Sequence, residues 1–166
     1  MRTIIYPGTF DPITKGHADI ARRATRLFDR VIVAVAVSTK QTVFSIEERV
    51  ALASEIFNHD ENIIVSSFEH KLLIEYVREV DGIAILRGIR AVSDFDVEFQ
   101  MAAMNRVLAE EIETIFMSPD ETFAYISSTL VREIALVGGD TSPFVAPQVS
   151  IALKEKMHAL HNTIET

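Results

Sequence analysis

The segment YPGTFDPITKGH, residues 6–17, follows a short apolar run and combines turn residues with groups that can bind phosphate. Thr14 is expected to cap a helix, which would place Lys15, Gly16 and His17 in its first turn. Free backbone N–H groups and the positive end of the helix dipole bind anions there, Gly16 leaves space for a phosphate, and His17 adds a donor. A capped helix with a solvent-exposed histidine is the alternative, which this segment alone favours.

A second segment, LRGIRAVSDFDVE at residues 86–98, carries two arginines on either side of a glycine at the end of a predicted strand. The guanidiniums of Arg87 and Arg90 need anions beside them in that position, and a guanidinium is well suited to phosphate. Salt bridges to Asp94 or Asp96 are the alternative. The segment therefore predicts either a phosphate site or local ion pairs.

Hydroxyl groups and a lysine follow two further predicted strands. Residues 118–133, SPDETFAYISSTLVRE, place Ser127, Ser128 and Thr129 at the start of a predicted helix. Because no acidic side chain follows in the first turn, these hydroxyls and the helix N-terminus are able to receive phosphate oxygens, although capping alone explains at least one hydroxyl. Lys40 lies in another loop after a strand, where a single lysine is usually a solvated charge.

Charge and composition limit the classes of ligand. The chain has 16 lysines and arginines against 24 aspartates and glutamates, a net charge of −8, which argues against a nucleic-acid surface. It has no cysteine, which excludes disulfides and thiolate metal sites, and no dedicated cluster of metal ligands is evident. No apolar run approaches the roughly 18 residues of a membrane span, and the N-terminus does not resemble a signal peptide. We therefore expect a cytoplasmic protein without membrane or nucleic-acid partners.

The elements that must position these segments alternate along the chain. Apolar runs predict five strands, at residues 3–6, 31–37, 62–66, 82–86 and 113–117. Helical patterns lie between and after them, at residues 15–28, 45–57, 72–80, 93–110, 128–137 and 147–161. This order predicts a single α/β domain over residues 1–166, with a doubly wound, five-stranded parallel sheet and helices on both faces. Ligands bind beyond the carboxyl ends of such strands, where the segments above meet, so the sequence predicts a polyphosphate site.

Three stretches of this sequence resemble a known family. GTFDPITKGH resembles the first signature of the nucleotidyltransferases, in which Thr or His, any residue, Gly and His end the first loop. YISSTLVRE resembles their second signature, Ile-Ser-Ser-Ser/Thr followed by a basic residue. LRGIRAVSDFDVEFQMAAMNR is similar to the bacterial phosphopantetheine adenylyltransferases in particular. The resemblance covers about residues 4–137 and implies a Rossmann-like fold.

The resemblance implies transfer of AMP from ATP to 4′-phosphopantetheine, which gives dephospho-coenzyme A and pyrophosphate. The reaction would be an in-line attack without a covalent enzyme intermediate, with Mg²⁺ arriving on ATP. The implied catalytic residues are Thr9, His17, Lys40 and Arg90. The implied phosphopantetheine-binding residues are Thr9, Lys40, Leu73, Arg87 and Asn105. The implied ATP-binding residues are Thr9, Phe10, His17, Gly88, Ile89, Arg90, Glu98, Phe123, Ala124, Tyr125, Ile126, Ser127, Ser128 and Thr129.

The resemblance also concerns assembly and regulation. The helix at residues 93–110 and the C-terminal helix are similar to elements of the family's homohexamer, a dimer of trimers, in which coenzyme A is a further ligand and an inhibitor. In a single copy, the apolar residues of the first of these helices would instead belong to the core; they are Val97, Phe99, Met101 and Met104. Phe123 stands where many members have Trp, and Lys71 replaces a small residue near the pantetheine pocket.

Three other activities are alternatives to phosphopantetheine adenylylation. An adenylyltransferase acting on a pyridine mononucleotide usually carries His-x-Gly-His, whereas this chain has Thr14-Lys15-Gly16-His17. The segment RGIRAVSDFD does not resemble the cytidylyltransferases. A nucleotide-binding regulator without catalysis would not need the complete set of charged and hydroxyl side chains described above.

Overall fold

The computed structural model describes residues 1–38 and 41–164, with side chains to residue 160. Five strands form one parallel sheet: β1 (Thr3–Gly8), β2 (Arg30–Ala36), β3 (Ile63–Phe68), β4 (Ala84–Gly88) and β5 (Glu113–Met117). Their spatial order is β3-β2-β1-β4-β5. The chain therefore reverses its direction of growth after β3, which leaves β1 and β4 adjacent at the switch point where such sheets bind ligands. The predicted doubly wound α/β fold is confirmed.

Helices connect the strands and close the chain: α1 (Lys15–Ala24), α2 (Ile46–Ile56), α3 (Leu73–Glu79), α4 (Val92–Leu108), α5 (Ser128–Leu136) and α6 (Pro147–Ile164). A short 3₁₀ turn at Glu121–Phe123 was not predicted. Helix α1 ends at Ala24 rather than at residue 28, because the N–H groups of residues 27 and 28 both return to the Ala24 carbonyl and close the turn. No helix among the described residues is long and apolar enough to cross a bilayer.

Three strands, β1, β3 and β4, extend two residues beyond their predicted ends, and two of these extensions carry cavity residues. Arg87 and Gly88 continue β4 because they pair with residues 116 and 117 of β5, so the prediction that both follow the strand was wrong. Pro7 and Gly8 continue β1 beside residues 34 and 35 of β2. The carboxyl edge of the sheet is therefore built partly from residues expected in loops, which fixes their backbone.

Apolar side chains fill both faces of the sheet. On β1, Ile4 and Ile5 are completely buried and belong to different core clusters, since successive strand side chains point to opposite faces. The larger cluster also contains buried residues of α1, α2, α5 and α6, and the smaller one is covered mainly by α3. The sheet is thus rigidly held from both sides, and its carboxyl edge is a stable platform for a site.

Helix α4 differs from the other helices because none of its side chains is buried in a single copy of the chain. Val97 and Met104 are each 62% exposed, Phe99 is 56% exposed and Met101 is 49% exposed. The alternative that these four residues are core in a single copy is therefore wrong. An apolar helix face left open to water is unusual in a monomer.

Candidate active site

A cavity of about 410 Å³ opens at the carboxyl edge of the sheet, between the ends of β1, β2 and β4 and the start of α5. Its lining contains the following predicted residues: Thr9, Phe10, His17, Arg87, Gly88, Arg90, Glu98, Ser127, Ser128 and Thr129. It also contains residues that were not assigned to a ligand: Tyr6, Pro7, Gly8, Asp11, Ser38, Gln41, Thr42 and Arg132. The segments predicted to meet at the strand ends therefore surround one common space.

The remaining predicted residues lie outside this lining. Phe123 and Ile126 line a smaller cavity of about 50 Å³, which shares His17, Gly88 and Arg90 with the larger one. Ile89 is half-buried and Tyr125 is 64% exposed on the surface. Ala124 is also half-buried.

Of the residues predicted for phosphopantetheine, Thr9 and Arg87 line the main cavity, whereas Leu73 and Asn105 do not. Leu73, at the start of α3, contacts the smaller core cluster. Asn105 lies half-buried on α4. Lys40 lies outside the described residues. Lys71, which was expected to affect this region, is engaged by Glu79, with its Nζ 2.6 Å from a carboxylate oxygen.

The imidazole of His17 is oriented by the cap of α1. Thr14 and His17 form a capping box, in which the Thr14 hydroxyl accepts from the His17 backbone N–H. The Thr14 backbone N–H donates to Nδ1 of His17 over 3.0 Å, so Nδ1 is unprotonated and the ring proton lies on Nε2. Burial and the charges of Arg90 and Arg87 lower the pKa of His17 to about 4. The ring is therefore a neutral donor at pH 7.

The phenyl ring of Phe10 packs against the imidazole of His17. Its side chain is buried and meets the His17 ring edge-on, with the ring centroids 5.1 Å apart. The backbone of Phe10 has a left-handed φ of 49°, which turns the ring inward. A Cβ added at Gly8 would lie 2.9 Å from the Phe10 ring, so Gly8 has no room for a side chain. Phe10, which was predicted for ATP, lines the main cavity, and its ring also packs against the histidine.

Arg87 and Arg90 each face the cavity while held by a carboxylate of α4. Glu98 accepts two hydrogen bonds from Arg87, of 2.5 and 2.6 Å, and the Pro7 carbonyl accepts a third at 2.9 Å. Arg90 donates to Asp94 and, over 3.1 Å, to the backbone carbonyl of residue 126. The expected ion pair between Arg90 and Asp94 is present, whereas Arg87 pairs with a residue that was predicted for ATP.

The three hydroxyl side chains at the start of α5, those of Ser127, Ser128 and Thr129, each take part in a hydrogen bond. Ser127 caps the helix by accepting from the backbone N–H of residue 130, and Ser128 donates to the Pro12 carbonyl over 2.8 Å. Thr129 accepts from Arg132 over 3.3 Å. No acidic residue lies in the first turn. The positive helix end therefore faces the cavity without a carboxylate of its own.

Arg132 is a cavity residue that our sequence reasoning did not assign. Its Nη1 donates to the Asp11 backbone carbonyl, and its side chain is about one-third exposed. The available signal was its position four residues after Ser128, since residues four apart share one helix face. The guanidiniums of Arg87, Arg90 and Arg132 give this acidic chain the local basic cluster that a polyphosphate requires.

Two further buried groups join the loops around the cavity. The Asp11 carboxylate accepts from the backbone N–H groups of Val43 and Phe44 at 2.9 and 3.0 Å. The guanidinium of Arg49, on α2, donates to the carbonyls of Thr9 and Ala36. Neither role could be found in the sequence, because each depends on which loops meet in the fold.

The chemistry available in the cavity is anion binding rather than proton abstraction. Among its described lining residues, the carboxylates are those of Asp11 and Glu98, and both are occupied by hydrogen bonds. Nδ1 of His17 is occupied by Thr14. What remains free to act is a set of donors: cationic guanidiniums, a neutral imidazole N–H and helix-end amides. Such groups stabilise negative charge on phosphate oxygens.

Comparison with known sequences gives consistent results. A family model described as cytidylyltransferase-like matches residues 5–134. The chain is 58% identical over 154 residues to the phosphopantetheine adenylyltransferase of Thioalkalivibrio sulfidiphilus, covering 92% of this chain and 96% of that protein. It is 52% identical over 167 residues to the phosphopantetheine adenylyltransferase of Bordetella avium, covering 100% and 99% of the two chains.

Solved structures are similar in fold at low sequence identity. A putative nicotinate-nucleotide adenylyltransferase from Vibrio parahaemolyticus has a TM-score of 0.68 at 19% identity, covering 95% of both chains. The Plasmodium falciparum nicotinic acid mononucleotide adenylyltransferase complexed with NaAD has a TM-score of 0.71 at 16% identity, covering 94% of this chain and 96% of that one. At such identities the likeness concerns the fold alone.

Proposed function

The chain belongs to the phosphopantetheine adenylyltransferases, within the cytidylyltransferase-like family, and we propose that its cavity catalyses their reaction by positioning and charge stabilisation alone. The chain is a nucleotidyltransferase of coenzyme A biosynthesis, which transfers AMP from ATP to 4′-phosphopantetheine. The observation that carries the proposed mechanism is the placement of a neutral His17 beside Arg87 and Arg90 in a cavity whose carboxylates are already occupied.

The reacting groups explain why such a cavity is sufficient. The attacking group is a phosphate monoester, which is mostly ionised at neutral pH and needs no general base. The bond that forms joins a phosphate oxygen to the α-phosphorus of ATP, and the bond that breaks releases pyrophosphate. The enzyme must hold both groups in line and stabilise the charge that develops on the equatorial oxygens. A site made of hydrogen-bond donors meets both requirements.

We assign each part of the reaction to side chains with suitable donors. Nε2–H of His17 and the Thr9 hydroxyl would donate to the α-phosphate, where charge develops. Arg87 would hold the incoming phosphate, together with the predicted but undescribed Lys40. Arg90, Arg132 and the N-terminus of α5 would hold the leaving pyrophosphate, since Arg90 donates to the carbonyl of residue 126 beside the α5 cap and Arg132 lies on α5.

Glu98 is hydrogen-bonded to Arg87, the residue that we assign to the incoming phosphate. Because Glu98 holds Arg87 through two hydrogen bonds, the guanidinium is already oriented before any ligand arrives. An incoming phosphate must bind the part of Arg87 that faces the cavity or displace the carboxylate. We therefore propose that Glu98 acts on phosphopantetheine binding through Arg87, in addition to any contact with ATP.

The parts of the two substrates that do not react, the adenine of ATP and the pantetheine arm, would bind on either side of the phosphate site. The small cavity beside Phe123 and Ile126 adjoins the phosphate site, and these two apolar side chains would contact adenine. The surface between α3 and α4, with Leu73 and Asn105, would receive the pantetheine arm. The pantetheine assignment rests on the family resemblance, and the adenine assignment also rests on the residues that the small cavity shares with the main one.

Mg²⁺ fits this site as an ion carried by the ATP phosphates. No group of three or more His, Asp or Glu side chains in residues 1–38 and 41–160 is placed to hold a metal, and the cavity carboxylates are occupied by protein groups. When bound, the ion would neutralise charge on the leaving pyrophosphate. The residues of the chain would then orient the phosphates around it.

We also propose that the protein is cytoplasmic and assembles as a homohexamer, a dimer of trimers, that uses α4. The uncovered apolar side chains of α4, which include Phe99 and Met104, support an interface with other copies. Dephospho-coenzyme A leaves the site as product, and coenzyme A, which shares its shape, would bind the same cavity as an inhibitor.

The substrate assignment is tested by offering the enzyme two nucleophiles. ATP and Mg²⁺ are supplied with either 4′-phosphopantetheine or nicotinamide mononucleotide, and pyrophosphate release is measured. We expect release only with 4′-phosphopantetheine. Release only with the mononucleotide would overturn the assignment, and binding of ATP without release in either case would indicate a regulator.

A further inference from the structure

Arg49 is a buried cation at the outer side of the active-site loops. It lies near the start of α2 and is only 3% exposed. Its Nη1 donates to the Thr9 carbonyl over 2.6 Å and to the Ala36 carbonyl over 2.8 Å. Burial lowers the pKa of Arg49, while the charges of Asp11 and Glu47 act in the opposite direction. Both hydrogen bonds that Arg49 donates thus end on backbone carbonyls at the carboxyl edge of the sheet.

These two carbonyls belong to the parts of the chain that leave neighbouring strands. Ala36 is the last residue of β2, and Thr9 is the first residue after β1. The last ladder pair between these strands joins Gly8 to Val35, so Thr9 lies just beyond the ladder. Beyond the last ladder pair, the Arg49 guanidinium connects the two chain segments by donating a hydrogen bond to each.

The start of the helix that carries Arg49 is held by a cap and by the first loop. Ser45 and Glu48 cap α2 in a capping box, with the Ser45 N–H donating to the Glu48 carboxylate over 2.8 Å. On the same loop, Asp11 accepts from the N–H groups of Val43 and Phe44. The first loop is therefore bonded to the start of α2 in both directions, with Arg49 donating and Asp11 accepting.

We propose that Arg49 is a positioning residue for AMP transfer, which holds Thr9 at the distance from the reacting phosphate that turnover requires. This inference rests on the proposed function, in which the Thr9 hydroxyl donates to the α-phosphate. Thr9 is exposed to the cavity, and its side chain has no other fixed partner among the described residues, so its position depends on its backbone. The backbone carbonyl of Thr9 is the group that Arg49 holds.

A positioning role predicts an effect on turnover that is separate from folding. An error of about 1 Å in the position of a catalytic group can cost on the order of 100-fold in rate. We expect Arg49→Met to lower kcat by about 10- to 100-fold, with a smaller change in the KM for ATP, because Arg90, Arg132 and the α5 N-terminus remain in place. Arg49→Lys keeps the charge and one donor, so it should lose less.

The control separates this effect from lost stability. Leu153 is completely buried in α6, which takes no part in the lining of the cavity. Leu153→Ala should lower the free energy of unfolding, as large-to-small core substitutions do, without a comparable loss of kcat. All variants are compared at a temperature at which each is folded, as checked by circular dichroism.

A double-mutant cycle tests whether Arg49 acts through Thr9. Thr9→Ala, Arg49→Met and the double variant are assayed for pyrophosphate release at saturating substrates. If Arg49 positions the Thr9 hydroxyl, its substitution costs much less kcat in the Thr9→Ala background than in the wild-type protein. Independent effects that multiply in the double variant would overturn the proposal, as would a folded Arg49→Met variant with wild-type kcat. If Arg49→Met does not fold, the same cycle is run with Arg49→Lys.

The outcome distinguishes this inference from the proposed function. Wild-type protein that releases no pyrophosphate with 4′-phosphopantetheine would contradict the function itself. An active wild type whose Thr9→Ala variant loses kcat, together with an Arg49→Met variant that does not, would contradict the positioning role alone. An active wild type with an unaffected Thr9→Ala variant would remove the assigned role of Thr9 and, with it, that of Arg49.

Discussion

The backbone N–H of Thr14 donates to Nδ1 of His17, and this one bond decides which form of the imidazole faces the substrates. With Nδ1 accepting, the ring proton must lie on Nε2. The arginines that we propose to bind phosphates also keep the ring neutral, because burial and the charges of Arg90 and Arg87 lower its pKa to about 4. In the proposed mechanism, the Thr14 N–H therefore sets the tautomer of His17, and the arginines keep its ring neutral.

The lowered pKa predicts how stability depends on pH. An unfolded histidine has a pKa of about 6.5, so between pH 6.5 and pH 4 the unfolded chain binds a proton at His17 that the folded chain does not. The contribution of His17 to stability is therefore complete above pH 6.5 and is lost as pH falls toward 4. Unfolding by denaturant at pH 5 and pH 7 should show a smaller pH dependence for His17→Gln than for wild type.

A matched substitution elsewhere checks that this effect belongs to His17. His158 is exposed on α6, and His158→Gln should leave the pH dependence close to that of wild type. A His17→Gln variant whose stability changes with pH as steeply as that of the wild type would contradict the lowered pKa. The activity of the wild type should likewise show no titration of His17 near pH 6.5.

Glu98→Gln tests whether this carboxylate acts through Arg87. The substitution removes one charge and weakens the two hydrogen bonds that orient the guanidinium. A charge-assisted pair of this kind contributes about 1.5–3 kcal/mol, so we expect the KM for phosphopantetheine to rise by about tenfold or more. The KM for ATP should change less. A larger change for ATP would show that Glu98 belongs chiefly to the nucleotide site.

Arg132→Met removes a cation from the side of the cavity assigned to pyrophosphate. The loss of a hydrogen bond to a charged phosphate costs about 1.5–3 kcal/mol, so kcat/KM for ATP should fall by about tenfold or more. Arg26→Met, an exposed arginine of the turn after α1 that does not line the main cavity, serves as the control. Equal values of kcat/KM for ATP in the two variants would contradict a role for Arg132 in ATP binding.

The assembly proposal predicts that a charge on the open face of α4 changes the mass of the particle. Met104→Glu places a carboxylate among exposed apolar residues, which would be desolvated in an interface at high cost. Sedimentation should find a hexamer for the wild type and smaller species for Met104→Glu. Leu27→Glu alters another exposed apolar residue and should leave the hexamer intact. A wild type that sediments as a monomer would contradict the proposal.

Much of the fold could be predicted from local patterns. The buried run of β2 and the capping box at Ser45 and Glu48 are specified by residues close together in sequence, and both are present. Parallel strands then bring their carboxyl ends to one edge without further information. For this reason His17, Arg87, Arg90 and the start of α5 could be assigned to one site before their contacts were known.

The contacts that tune the site could not be predicted, because they join residues far apart in the chain. Arg49 reaches Thr9 only because the fold brings α2 against the first loop, and Asp11 reaches residues 43 and 44 for the same reason. Glu98 was assigned to ATP from its place in a motif, whereas its partner in the fold is Arg87. Which carboxylate meets which guanidinium depends on the exact path of α4 over the strand ends.

The most direct test of the account is the effect of His17→Ala on turnover, with ATP binding measured separately by calorimetry. If a neutral Nε2–H stabilises charge on the α-phosphate in the transition state, kcat should fall by about 100-fold or more, as for other lost donors of this kind. The Kd for ATP should stay within about threefold of wild type, because the arginines and the α5 N-terminus remain. A His17→Ala variant with wild-type kcat would contradict the proposed mechanism.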